Sequence, residues 1–583
     1  MNSPADLLVP RVQTAITQAF GEDFRQTDPV IRPSQFADIQ INAAMALAKK
    51  VGLPPREVAA RIVEALEVNG ICTSVEISGP GFINLTFDGT WIEELLNQAR
   101  QHDGEPTAEL HRVVVDYSSP NVAKEMHVGH LRTTVVGDSL VRVLEALGHT
   151  VIRQNHIGDW GTPFGMLIEH WLEVGEGSQE AALLVDDPSA FYQAARAKFD
   201  ASVNDEDGFA ARARRRVVAL QGGDQETFEV WKRLVAQSKL YFNAIYAKLG
   251  VSLTDDHIAG ESSYDADLAR LCQELEDLGI ARVSDGALCT FPAGFTGRDG
   301  EPLPLIIRKS DGGYGYGTTD LATIRYRVRE LQADRVLYVV GAPQNVHLRM
   351  VMATAREAGW LPETVEATHV QIGNVLGEDG KILKSRSGAP VKLMALLDEA
   401  VDRARAVVDL SRPDLTLEER ELTARQVGIG AVKYADLSVG HDTEYVFDFD
   451  RMLALNGNTG PYVQYAAARI LSILRKAEAL EGSTDGGAGA GAAVGEGAAL
   501  AGIAVVEPAE RALALHLLEY GSTLRKVGEL LEPHRLCAYL FELAQLFTTF
   551  YDQCPVLKAA ESVRESRLAL CGLVLHRLIE GLD

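Results

Sequence analysis

The sequence predicts an α/β Rossmann-like domain with a helical insertion, preceded by a small N-terminal α+β domain and followed by a C-terminal α-helical bundle. Three observations predict it. Residues 112–117 (RVVVDY) form a short β-branched run of the kind buried on both faces of a parallel sheet. A turn, a helical pattern from Val128 to Leu147 and a second strand near Val151 follow it, which makes a strand–helix–strand unit. Ile83, Leu85 and Phe87 alternate with Asn84 and Thr86 after the Gly79-Pro80-Gly81 turn, the period of a half-buried strand. Leu536, Leu540, Leu543, Phe547 and Phe550 step by four and three, the buried stripe of a helix in a bundle.

Taken in order, residues 1–105 hold a helical pattern from 33 to 67, in which Pro54 and Pro55 start a helix carrying Val58, Ile62, Val63 and Leu66. A polar stretch, QHDGEPT at 101–107, separates this domain from the α/β domain expected over 106–415. Residues 305–308 and 335–340 (RVLYVV) are expected as later strands of the same sheet. A charged, mostly helical region at about 173–286 is read as an insertion. The helical domain is expected over 416–583, and fourteen of the seventeen residues at 486–502 are Gly or Ala, which suits a flexible loop.

At 583 residues, 46% hydrophobic and 23% charged, the chain is long enough for more than one buried core. Its 56 Lys and Arg against 81 Asp and Glu, a net charge of −25, exclude binding of nucleic acid through a uniformly basic surface. A polyanionic partner must meet local basic patches. The six cysteines are scattered, with no CxxC pair and no metal-ligand spacing, so reduced thiols, a cytoplasmic setting and no zinc site are expected. Asp6 interrupts the apolar stretch an export signal needs, and no run of 18 apolar residues follows, so no membrane span is expected.

The chemistry concentrates in DYSSPNVAKEMHVGH, residues 116–130, where a parallel strand hands over to a helix. Open α/β sheets bind nucleotides at such points. His127 and His130 share a helix face, Gly129 leaves room for a flat base, and the helix N-terminus attracts phosphate. The other phosphate loop, GxxxxGK[ST], is absent, and Gly313-Tyr314-Gly315-Tyr316-Gly317 lacks the GxGxxG spacing. Lys381, Lys384 and Arg386 lie on a Gly-bounded loop, 377–388, suited either to closing over a polyphosphate or to solvation as a basic surface loop.

His127-Val128-Gly129-His130 resembles the HIGH signature of class I aminoacyl-tRNA synthetases, and SSPNVAKEMHVGHLRTT is similar to the arginyl-tRNA synthetase form of it. NHIGDWGT at 155–162 and NGNTGPYVQYA at 456–466 also resemble that family, so the likeness runs through the whole chain. Pro163 stands where some members carry Gln, and the second class signature, KMSKS, is reduced here to Leu383-Lys384-Ser385-Arg386-Ser387. The resemblance implies that Lys124 supplies the missing positive charge. It implies a catalytic set of His127, Gly129, His130, Lys124, Lys384 and Arg386, with ATP held by His127, Gly129, His130, Lys384, Ser385 and Arg386.

For arginine, the same resemblance places Asp116, Tyr316 and Asp320 at the guanidinium, and Ser119, Asn121, His130 and Gln344 at the α-amino and carboxylate groups. Read without it, Asp116 in an apolar strand is equally well satisfied by a structural partner such as Lys124 or an arginine. The implied reaction is ATP-dependent activation of L-arginine and transfer to tRNA(Arg), with Mg2+ on the polyphosphate, no dedicated metal ligands in the chain, and a monomeric enzyme. The run at 212–216 (RARRR) suits a tRNA backbone contact or, with greater weight, a solvated helix face. Tyr539, Phe550 and Tyr551 are candidates for stacking on unpaired bases, although most bundle aromatics should be core. A different class I synthetase would lack the Tyr316, Asp320 and Gln344 set, and a silent tRNA-binding paralogue would show damage at His127, Gly129 or His130.

Overall fold

A computed structural model describes residues 2–101, 109–122, 124–297, 300–384, 391–482 and 502–583. Of the Gly/Ala segment expected as a loop, only Gly502 is among them, and of the polar stretch at 101–107 only Gln101. The chain divides into two compact units. One comprises Met1–Glu105, Leu455–Leu530 and Arg535–Asp583; the other comprises Pro106–Ala454 and Leu531–His534.

The second unit is built on a four-stranded parallel sheet in the order Glu366–Ile372, Arg335–Gly341, Arg112–Tyr117, Thr150–Gln154. Val113, Val114, Val115 and Tyr117 are buried, as a strand covered on both faces requires. The helix Val128–Ala146, here the HVGH helix, crosses back over the sheet to Thr150–Gln154. It approaches so closely that a Cβ at Gly137 would lie 2.3 Å from the Cβ of Tyr117. Only glycine permits that contact. Arg112–Tyr117 thus sends its connection to one side while Arg335–Gly341 pairs on the other, and the crevice between their carboxyl ends is the switch point.

Three expectations change. Leu305–Arg308 is not in the parallel sheet: it pairs antiparallel with Ala287–Thr290 in a separate three-stranded sheet. Its short apolar run suits either sheet, and pairing with the nearby antiparallel strand decides it. Within 33–67, Ile39–Ile41 is a strand beside Phe82–Phe87, and only Ala43–Val51 and Pro55–Ala65 are helical. Third, Leu417–Leu437, read from sequence as the start of the C-terminal domain, packs along Leu393–Ser411 in the second unit. A Cβ at Gly428 would meet the Ala400 carbonyl at 2.6 Å, so the two helices touch backbone to backbone.

In the first unit, the N-terminal α+β part and the C-terminal helices are joined by ion pairs. Arg511 donates to Asp38 at 2.6 Å and to the Phe87 carbonyl at 2.8 Å, and Arg525 pairs with Asp6 at 2.5 Å. Leu540, Leu543, Phe547 and Phe550 are buried, as their spacing required.

Candidate active site

The strand Arg112–Tyr117 ends in two successive non-glycine residues in the left-handed region, Ser118 at φ 72° and Ser119 at φ 46°. Each such residue costs roughly 1 to 3 kcal/mol unless its surroundings hold it. They do: the Ser118 hydroxyl meets the Tyr246 hydroxyl at 2.8 Å and accepts from Thr134 at 2.9 Å, while Ser119 N–H donates to Asn155 Oδ1 at 3.0 Å. The strained turn carries the chain across the end of the sheet to the HVGH helix.

His127 caps that helix. Its Nδ1 accepts from Gly129 N–H at 3.1 Å, and His130 Nδ1 accepts from His127 N–H at 3.1 Å. With both Nδ1 atoms accepting, the ring protons are left on Nε2, facing away from the helix backbone. Burial, then the charges of His127 and Lys124, push the His130 pKa down to about 3. Burial and Lys124 lower that of His127 as well. Near neutral pH the pair therefore offers two neutral N–H donors beside a helix N-terminus, in place of two charged imidazoles. Gly129 has a further reason besides room for a base: a Cβ there would lie 2.8 Å from the His127 ring.

Lys124 rests its ammonium 4.4 Å above the Tyr192 ring, near enough to the two histidines to depress both. Lys384 is exposed and lines a cleft of about 1080 Å3 with Gly377, Lys381, Leu383, Val391 and Phe447. Ser385 and Arg386 lie outside the described residues. The chain is next described at Val391, whose carbonyl accepts from Val128 N–H at 3.0 Å, so Val391 itself lies beside the HVGH helix start.

Asp116 is buried, and of its two sequence readings the arginine partner is the one seen. Its Oδ2 accepts from Arg327 at 2.7 Å and its Oδ1 from Ser119 Oγ at 2.9 Å. Burial alone would raise its pKa, but Arg327, His156 and these hydrogen bonds hold it below the usual carboxylate range. Lys124 is engaged elsewhere, over Tyr192.

Asp320, by contrast, lies beside Tyr316 on the first turns of the helix Tyr316–Arg329, and its ion-pair partners among the described residues are histidines: His347 Nε2 at 2.6 Å and His156 Nε2 at 3.7 Å. The Tyr316 ring packs edge-on against His347, with centroids 4.8 Å apart, and is 67% exposed, so it stands at the surface and is not core. Gln344 is exposed in the turn after Arg335–Gly341, one helical turn before His347. Asn121 is exposed and bridges to Gly158, where a Cβ would meet its side-chain oxygen at 2.3 Å.

Sequence reasoning missed Glu261. Burial, then the charges of Asp320 and Asp159, push its pKa up to about 8. Asp159 is itself raised by burial and accepts from Ser262 N–H at 2.9 Å. Neither Glu261 nor His347 sits in a motif, and only folding brings them to Asp320.

Other expectations resolve at the periphery. Arg212 and Arg216 both donate to Glu169, at 2.7 and 3.0 Å, leaving Arg214 and Arg215 on the exposed side of their helix. Tyr539 and Phe550 are buried, which removes them as stacking platforms; Tyr551 is partly exposed beneath Arg469, 4.3 Å from its ring.

A family pattern described as tRNA synthetases class I (R), catalytic domain, matches residues 91–449. With a parallel sheet that sets the HVGH helix at its switch point, this defines a class I aminoacyl-tRNA synthetase. An arginyl tRNA synthetase N terminal domain matches 7–87 and a DALR anticodon binding domain matches 463–583. The chain belongs to the arginyl-tRNA synthetases. It is 65% identical to the arginine–tRNA ligase of Thermobifida fusca, over 100% of this chain and 98% of the relative, and 49% identical to that of Frankia casuarinae, over 99% and 97%. Among solved structures, the arginyl-tRNA synthetase of Plasmodium falciparum superposes with a TM-score of 0.82 at 27% identity, covering 100% of this chain and 98% of that one. That of Thermus thermophilus gives 0.77 at 25%, covering 99% and 98%.

Proposed function

We propose that the crevice between Arg112–Tyr117 and Arg335–Gly341 is where this arginine–tRNA ligase activates L-arginine and charges tRNA(Arg). An arginine carboxylate oxygen attacks the α-phosphorus of ATP, the bond to the β-phosphate breaks, and pyrophosphate leaves. The terminal ribose hydroxyl of tRNA then attacks the adenylate carbonyl, and AMP leaves. No protein nucleophile is needed, so positioning and charge stabilisation carry the rate. The carrying observation is the gathering of His347, His156 and Glu261 at Asp320, with exposed Tyr316 packed on His347.

In this reading Asp320 and Glu261 bind the guanidinium, and Asn121, Gln344, Ser119 and His130 hold the α-amino and carboxylate groups. His127 and His130 donate Nε2–H to phosphate oxygens. Lys124, Lys384 and Arg386 meet the leaving group. Asp116 acts at one remove, fixing Arg327 and Ser119. Magnesium enters bound to ATP, whose phosphate oxygens and waters supply most of its ligands. The C-terminal helices take the anticodon and the N-terminal part the tRNA elbow, where Phe36 is 82% exposed and free to stack on a base. Arg214 and Arg215 offer a local basic patch. Among the described residues no helix is long and apolar enough to cross a membrane, and a cytoplasmic monomer is part of the proposal.

The experiment is arginine-dependent pyrophosphate exchange with and without tRNA. Members of this family resemble the minority of synthetases that form the adenylate only with tRNA bound, so weak exchange is expected in its absence and strong exchange in its presence. Exchange driven better by another amino acid would defeat the reading.

Glu261 adds a pH signature. Its pKa in the folded protein, about 8, lies above its ordinary 4.5, so the native state holds a proton the unfolded state has lost. Stability from this group therefore falls as pH rises from 4.5 towards 8. A bound guanidinium favours the ionised carboxylate and expels that proton. Arginine affinity should rise by up to about tenfold per pH unit below the Glu261 pKa, with protons released on binding, and Glu261→Gln should flatten the dependence. Calorimetry in buffers of different ionisation enthalpy checks it: binding without proton release between pH 6 and 8 would exclude Glu261 from the pocket.

A further inference from the structure

We infer that Glu125 is a positioning residue for arginine activation: its carboxylate ties the first turn of the insertion helix Pro188–Ala201 to the two backbone segments that meet at the start of the HVGH helix. The inference rests on the proposed role of Lys124 and that helix in activation. Glu125 follows Lys124 directly and is 15% exposed. Its Oε2 accepts twice, from Ser189 Oγ at 2.6 Å and from Lys392 Nζ at 2.7 Å. Ser189 sits in the first turn of its helix, which Asp187 caps by accepting from Ala190 N–H at 3.1 Å; Asp187 also lies 3.6 Å from Lys392.

Lys392 belongs to the chain that returns after Lys384, and that chain is already laddered to the approach to the HVGH helix. Leu393 N–H donates to the Met126 carbonyl at 2.9 Å and Val128 N–H to the Val391 carbonyl at 3.0 Å. The same insertion helix carries Tyr192, which holds the Lys124 ammonium. One carboxylate thus joins three segments remote in sequence, and each of them bears on Lys124. An ion pair whose lysine is 50% exposed contributes little to global stability. What the arrangement fixes is where Lys124 and the His127 cap stand relative to the insertion.

The test compares exchange kinetics in the presence of tRNA. Glu125→Ala should lower kcat at least tenfold while the arginine KM stays within twofold and the melting temperature within a few degrees. Lys392→Met should act in the same direction and Lys392→Arg should restore at least half of the wild-type kcat. Ser189→Ala should lower kcat about threefold, and the double variant Ser189→Ala/Glu125→Ala should be no slower than Glu125→Ala alone, because both remove one connection. Wild-type kcat in Glu125→Ala, a KM increase matching the kcat loss, or multiplying effects in the double variant would each overturn the inference. If Glu125→Ala does not fold, Ser189→Ala and Lys392→Met decide, and wild-type kcat in both overturns it. His127→Ala separates this from the underlying assignment: if it is inactive while Glu125→Ala is normal, the tie alone fails, whereas full activity in His127→Ala sinks the site itself.

Discussion

His127→Ala and His130→Ala should each slow adenylate formation by about two to three orders of magnitude, equivalent to roughly 3 to 4 kcal/mol in the transition state. Loss of stability should be smaller. His130 Nδ1 satisfies the His127 N–H at the helix start, and removing a cap of this kind costs about 0.5 to 2 kcal/mol. The geometry adds a chemical detail. With both Nδ1 atoms accepting backbone N–H groups and the His130 pKa pushed down to about 3, each ring is a neutral Nε2–H donor, and the helix N-terminus supplies the fixed positive potential. An amide side chain is also a neutral donor, so His127→Asn and His130→Gln should recover part of the lost rate. The activation rate should show no titration of His130 between pH 6 and 8. Single-turnover measurement of adenylate formation tests both points. Near-wild-type rates in both alanine variants would remove the histidines from the site.

The division between what the sequence disclosed and what it withheld follows the range of the interactions. Strand 112–117, its turn and the HVGH helix are legible because one local pattern of β-branched run, turn and helical period determines them. Sequence alone does not reveal the partner of Asp116, because Arg327 lies 211 residues away. Glu261 and His347 carry no local signal at all: their meaning comes from standing beside Asp320, and no period or spacing records that. The arginines of 212–216 looked solvated because Glu169, which engages two of them, is 43 and 47 residues distant. Short strands such as Ile39–Ile41 fail for a different reason, since three residues are too few to show an alternating period. Tyr539 illustrates the converse. Its type suggests base stacking, while its helix face, shared with Leu543 and Leu536, already placed it in the core.

Asp320→Asn should collapse the preference for arginine over citrulline. A guanidinium presents a rigid fork of N–H donors, and a carboxylate accepts two of them in parallel, so charge and geometry both favour arginine. Citrulline has nearly the same shape without the charge. In the wild-type site it leaves Asp320 with the two histidines, His347 at 2.6 Å and His156 at 3.7 Å, but without the guanidinium, and leaves Glu261 no substrate cation to stabilise its ionised form. A carboxylate left in a pocket without its cation costs several kcal/mol. Sites built around a polar partner discriminate by roughly four to five orders of magnitude, which gives the measurement a wide range. Asparagine keeps the shape and one acceptor, so His347 retains a hydrogen-bond partner and the fold should persist, while the penalty against citrulline disappears with the charge. The ratio of kcat/KM for arginine to that for citrulline in tRNA-supported exchange reports this directly. Retention of the wild-type ratio would show that Asp320 does not read the guanidinium. Asp116 is then a poor substitute, since Arg327 already occupies its carboxylate, and Glu261 becomes the group that distinguishes the two amino acids.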